Sequence, residues 1–130
     1  MILFTFPIKT YCQNSKSERI ILSKVAALPE VRSFMKTARA SKPQLMMEGT
    51  PGRDSKHYWV KVGLSNLDMF RTQYDFHVDP KTSEIFFLDR MVKEGPTAIT
   101  LKQWREYYRS EAFNNKMHTY KKGKLVVVND

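Results

Sequence analysis

With 130 residues, 42% hydrophobic and 12% aromatic, the chain is sized for one domain with a real core, too short for two and too apolar for disorder. Its 22 basic and 13 acidic residues leave a net charge of +9, which fits nucleic-acid binding, attraction to anionic membrane or envelope polymers, or solubility alone; the basic residues are scattered, so no sequence patch chooses among these. The single cysteine, Cys12, excludes an internal disulfide, and no apolar run is long enough to span a bilayer.

Residues 1–8 are almost wholly apolar. The run is too short for a membrane span and has the length of the apolar core of a secretory signal. Polar residues 13–17 follow, as at the start of a mature chain. No basic residue precedes the run, and Lys9 stands where a small or apolar residue is expected; an edge strand or a frayed end is the alternative. Cys12 lacks the small residues of a lipobox before it, so no lipidation is expected. Residues 1–14 therefore read as a signal-peptide remnant or a disordered N-terminus, and residues 15–130 as a single α+β domain. The implied location is periplasmic or secreted, with cytoplasmic as the alternative.

Ser15 with Glu18 three residues later fits a helix-opening capping box. Ile21, Val25 and Leu28 then fall on one helical face, and Val31, Phe34 and Met35 carry that face onward. Pro29 lies between the two sets and kinks or splits the helix. Ser41, Lys42 and Pro43 end the helical region. Residues 44–48 read as a short strand and residues 49–56 as a loop of turn formers. Gly49 and Gly52 do not make a phosphate-binding loop of it, because Pro51 lacks an amide hydrogen that such a loop needs.

The centre of the chain, residues 57–89, reads as an antiparallel meander. Tyr58, Val60 and Val62 share one face of a first strand, and residues 65–68 connect it to the next. Residues 70–79 alternate strictly. Thr72, Tyr74, Phe76 and Val78 point to the dry side, and Arg71, Gln73, Asp75, His77 and Asp79 to the wet side. Asp79, Pro80, Lys81, Thr82 and Ser83 are turn chemistry, and residues 84–89 return as a third strand. Glu94, Gly95 and Pro96 break the chain. Thr100 with Gln103 is a second capping box, opening a helix over residues 101–111 with Trp104, Tyr107, Tyr108 and Phe113 on its packing face. Residues 121–128 are a last strand after a tight turn or a sticky tail. The fold class is α+β: an N-terminal helix, kinked or split at Pro29, packed on the antiparallel meander, with a further helix near residues 101–111.

The helix segment Val25-Ala26-Ala27-Leu28-Pro29-Glu30-Val31, the strand Tyr58-Trp59-Val60-Lys61-Val62 and the strand–turn–strand Phe76-His77-Val78-Asp79-Pro80-Lys81-Thr82-Ser83-Glu84-Ile85 together resemble PepSY-like domains. These are small α+β modules of bacterial secreted and envelope proteins. The resemblance covers roughly residues 20–89; Ser83 stands where that family commonly has glycine, and the Trp104 helix lies outside the match. Cystatin-like and nuclear-transport-factor-like folds pair a helix with a curved meander in the same way. The resemblance implies a class that binds or inhibits peptidases, and no particular site.

No catalytic motif is present: neither Cys12 nor any serine lies in a nucleophile elbow. His77 and Asp79 alternate with Asp75 on one strand face, the placement of a metal or acid–base cluster. With a single histidine and no third strong ligand, a solvated face is expected instead. His57 and His118 read as isolated residues in loops or at element ends. Trp59, Lys61, Arg71 and His77 form the candidate binding surface, an aromatic and basic face able to hold a peptide or stack bases. No catalytic, cofactor-binding or metal-binding residue is assigned. The reading is a non-catalytic secreted or periplasmic binding module, peptidase-inhibitor-like, with a protein or peptide partner. Nucleic acid is expected to bind only non-specifically. The alternatives are a basic nucleic-acid-binding domain and a small cone-shaped α+β enzyme using His77 or Asp79.

Overall fold

The structure, a computed structural model, describes residues 15–53, 55–66 and 69–129. The expectations for the apolar start, for Cys12 and for residues 67–68 of the first connection lie outside these residues. Two helices come first, α1 (Lys16–Ala26) and α2 (Pro29–Thr37). Ser15 caps α1, its hydroxyl accepting the Glu18 amide at 3.1 Å. Pro29 splits the pair rather than kinking one helix: it occupies the first turn of α2, where its missing amide hydrogen costs nothing. A 3₁₀ turn over Arg39–Ser41 leads to Lys42, whose left-handed backbone (φ 58°) redirects the chain into the sheet.

The sheet is larger than the three-stranded meander read from the sequence. Its strands are β1 (Pro43–Gly49), β2 (Tyr58–Asn66), β3 (Met69–Val78), β4 (Ile85–Asp89) and β5 (Thr97–Thr100), all antiparallel and in the order β1-β2-β3-β4-β5. The β3–β4 turn forms as its residues dictate. The Asp79 carboxylate accepts the amides of Lys81 (2.7 Å) and Thr82 (3.1 Å), and Ser83 takes a left-handed conformation at φ 64°.

The expected helix over 101–111 is instead two short ones, α3 (Leu101–Tyr107) and α4 (Glu111–Asn115). The Thr100–Gln103 capping box opens α3 with both reciprocal bonds at 3.0 Å. Ser110 then interrupts. Its hydroxyl accepts the Phe113 amide at 3.1 Å and so starts a new helix, the capping role that makes serine a poor interior residue. The C-terminal stretch is the expected last strand after a tight turn and not a tail: β7 (Lys124–Val127) follows the turn and forms a hairpin with β6 (His118–Lys121). Lys122 and Gly123, at φ 52° and 78°, form a two-residue turn whose twist suits the flanking strands.

The helices lie against one face of the sheet. Val25, Val31, Val60, Val62, Phe76 and Val78 are completely buried between the layers. Trp104 joins them from α3, stacked on Phe87 with ring centroids 4.7 Å apart. Burying side chains of this size contributes roughly 1.5–3 kcal/mol each, so the core rests on the alternation of β2 and β3. Among the described residues, no helix is long and apolar enough to cross a membrane.

Candidate functional site

The opposite, outer face of the sheet carries the aromatic and basic residues. In the β2–β3 register Trp59 faces His77 and Lys61 faces Asp75, while His77 faces Phe86 on β4. Cross-strand partners share a face, so Trp59, Lys61, His77 and Phe86 all project away from the helices. His57 closes the row, stacked on Phe86 at 5.8 Å and edge-on to His77 at 5.9 Å. Trp59 packs on His77 at 6.0 Å.

Asp75 stands in the middle of this face and is only 4% exposed. The expectation that it points into water is corrected here. Its side is as the alternation requires, but Trp59 and Arg90 roof it over. Its carboxylate accepts Trp59 Nε1–H at 2.8 Å on one oxygen and Arg90 Nε–H at 3.0 Å on the other. The indole is thereby fixed, and two cations sit over it: Lys61 Nζ at 5.1 Å and the Arg90 guanidinium at 5.7 Å from the ring centroid. Both distances are within range of a cation–π attraction. Arg90 completes the face, and the sequence reading missed it. It follows β4 directly, and nothing in the residue pattern ties it to a tryptophan 31 positions earlier.

Arg71 does not join this surface. The register passes from Val62↔Tyr74 to Gly63↔Thr72, so Gln73 has no partner and forms a bulge. One extra residue reverses the alternation, which sets Arg71 opposite Leu64, beyond the bulge. It also explains why Thr72, expected on the dry side with Tyr74, is exposed. The bulge depends on Gly63. A Cβ there would lie 2.1 Å from the Arg71 carbonyl oxygen.

His77 and Asp79 form no cluster. The Asp79 carboxylate is committed to the turn, whose amides hold its pKa below the usual value. Burial, and then the neighbouring His57 imidazole, push the His77 pKa down. No group of three metal-ligating side chains occurs among the described residues.

A cavity of about 350 Å³ adjoins the roofed carboxylate. It exists because the β3–β4 ladder stops at Phe76↔Phe87, while β3 continues alongside β2 alone. Lys61, Thr72, Gln73 and Asp75 form one wall, and Leu88, Asp89, Arg90 and Met91 the other. Phe87, Phe113 and Asn114 lie between the two walls.

Asp89 leads to a second constellation. His118, expected to be isolated at an element end, is instead completely buried. Its Nδ1–H donates to the Lys116 carbonyl at 2.8 Å, since a carbonyl can only accept. Its Nε2 is hydrogen-bonded to an Asp89 carboxylate oxygen at 2.5 Å. The same oxygen accepts the Tyr120 hydroxyl at 2.6 Å, and the other accepts the Met91 amide at 3.0 Å. Burial and the adjacent carboxylate push the Tyr120 pKa far up, keeping the phenol protonated. Every polar atom of this network has a partner, so it reads as a clamp holding the β6–β7 hairpin to the end of β4. Compared with known proteins, the chain matches no family model, no curated protein and no solved structure.

Proposed function

We propose that the protein is a non-catalytic binding module that takes an acidic protein or peptide partner on the outer face of its sheet. The observation that carries the reading is the pair of cations, Lys61 and Arg90, held over the fixed Trp59 ring. Among the described residues no ion pair holds Lys61, so its charge is available to a ligand. The half-buried aromatic surface of His57, His77 and Phe86 extends the face, and aromatic and arginine side chains are the usual anchors of protein contacts. Single-stranded nucleic acid is the weaker reading. A stacking platform needs a free ring face, whereas this indole is hydrogen-bonded at its edge and covered by cations. A secreted or periplasmic location, and a peptidase among the partners, belong to the same proposal. They draw on the apolar opening of the chain and on the PepSY-like resemblance.

The test is a titration of the full chain with a glutamate-rich peptide and with single-stranded DNA across a range of salt. Arg90→Gln or Lys61→Gln is expected to weaken peptide binding roughly tenfold, the effect of one charge-assisted contact. Lys102→Gln, on α3, should change little. DNA binding should be weak, indifferent to sequence and lost steeply with salt. DNA binding at about 10⁻⁸ M in physiological salt, abolished by Trp59→Ala, would instead make this a nucleic-acid module.

A further inference from the structure

We propose that the cavity between β3 and β4 receives the C-terminal residue of a peptide, its carboxylate on Lys61 and Arg90 and its apolar side chain against Phe87 and Phe113. The inference rests on the outer face being the binding surface, and it names what that face recognises.

Both cations line the cavity. Arg90 makes its hydrogen bond to Asp75 through Nε, and its side chain remains 49% exposed. The guanidinium is thus oriented by a buried carboxylate while half of the side chain stays exposed, and its planar fork is suited to a second carboxylate. Neither acid in the walls is a free charge, although Asp75 is itself the ion-pair partner of Arg90, which leaves Lys61 as the cation without an ion pair among the described residues. Asp75 is divided between Trp59 and Arg90, and Asp89 among His118, Tyr120 and the Met91 amide. The lining adds a different chemistry: Phe87 and Phe113, whose rings pack together with centroids 5.9 Å apart, also border the cavity.

A terminal apolar residue carries its carboxylate and its hydrocarbon on the same Cα. One residue can therefore satisfy a cationic rim and an apolar floor lying side by side. An internal Asp or Glu brings its charge on only one or two methylenes, with no apolar branch beside it. The remainder of the ligand is a peptide chain because the cavity is continuous with the outer face. Lys61, Asp75 and Arg90 belong to both, so residues preceding the terminus would run over Trp59 and His77.

The test is an NMR titration of the ¹⁵N-labelled full chain with acetyl-alanyl-alanyl-leucine as the free acid, with the same tripeptide as its amide, and with acetyl-leucine as the free acid. The expected result is saturable shifts at Thr72, Gln73, Arg90 and Asn114 with the tripeptide acid. The amide should bind at least roughly tenfold more weakly, as loss of a charge-assisted contact requires. Arg90→Met should weaken the acid and leave the amide unchanged. Equal binding of acid and amide, or shifts confined to Trp59 and His77, overturns the proposal. Acetyl-leucine binding as well as the tripeptide overturns the peptide assignment in favour of a small free acid. Loss of the tripeptide response while the glutamate-rich peptide still binds removes the cavity proposal and leaves the outer-face reading intact. The reverse result supports the cavity and restricts the outer face to peptides whose C-terminus enters it.

Discussion

Gly63 is the residue on which the shape of the outer face turns. Its neighbour across the sheet is backbone, not a side chain that can move aside, and a Cβ would stand 2.1 Å from the Arg71 carbonyl oxygen. Gly63→Ala should therefore cost on the order of 1–3 kcal/mol, as overpacking does. A denaturant melt showing no loss would mean that the bulge is not as described. His77 is the other residue with a distinct signature. Burial and His57 depress its folded pKa below the ordinary imidazole value, so the folded state binds fewer protons than the unfolded chain. The stability this represents is fully present above the unfolded pKa and is lost as pH falls through the folded one. His77→Phe should flatten the fall of stability between neutral and mildly acidic pH, and melts across that window would detect it. Residues such as Phe76 and Val60 were legible from alternation alone, because period-two burial is a local rule. Asp75 was legible as to side but not as to burial. What roofs a side chain depends on residues distant in sequence, here Trp59 and Arg90.

Among elements, the C-terminal hairpin depends most on contacts that local sequence does not announce. It joins the rest through a parallel bridge between Val92 and His118 and through the Asp89–His118–Tyr120 network. His118→Ala would leave Asp89 buried without its main partner, a change that costs about 3–5 kcal/mol. We expect the loss to fall on β6 and β7. Hydrogen exchange should quicken at Thr119 and Val126 while the core amides of β2 and β3 keep their protection. Uniform loss across all strands would show that the hairpin and sheet unfold together. The two capping sites and the Asp79 turn could be read from sequence because each is settled within four residues. The hairpin was half-read: Gly123 marks its turn, but β6 is only four residues long and shows no periodicity of its own. Likewise the break at Ser110 is evident only once its hydroxyl is seen on the Phe113 amide. The bulge at Gln73 escaped for the same reason. An unbroken alternation along a strand does not reveal that one of its residues is left out of the pairing, so alternation sets Arg71 with Trp59 whereas the register sets it elsewhere.

For the whole molecule, the division of the sheet into a helix-covered face and an outer face separates the two tryptophans. Trp104 is 1% exposed within the core, whereas Trp59 is half-buried on the far side under two cations. The protein therefore emits light from two environments that solvent ions can tell apart. Iodide, drawn to Lys61 and Arg90, should quench one part of the intrinsic fluorescence and leave the rest, while caesium at the same ionic strength, repelled by the net charge of +9, should do little. Trp59→Phe should remove the iodide-sensitive part alone. A single component quenched equally by both ions would contradict the arrangement. With the assignment made, one emitter reports on the packed layer and the other on whatever settles on the open face, so unfolding and ligand capture can be followed in the same sample at different depths of the fold.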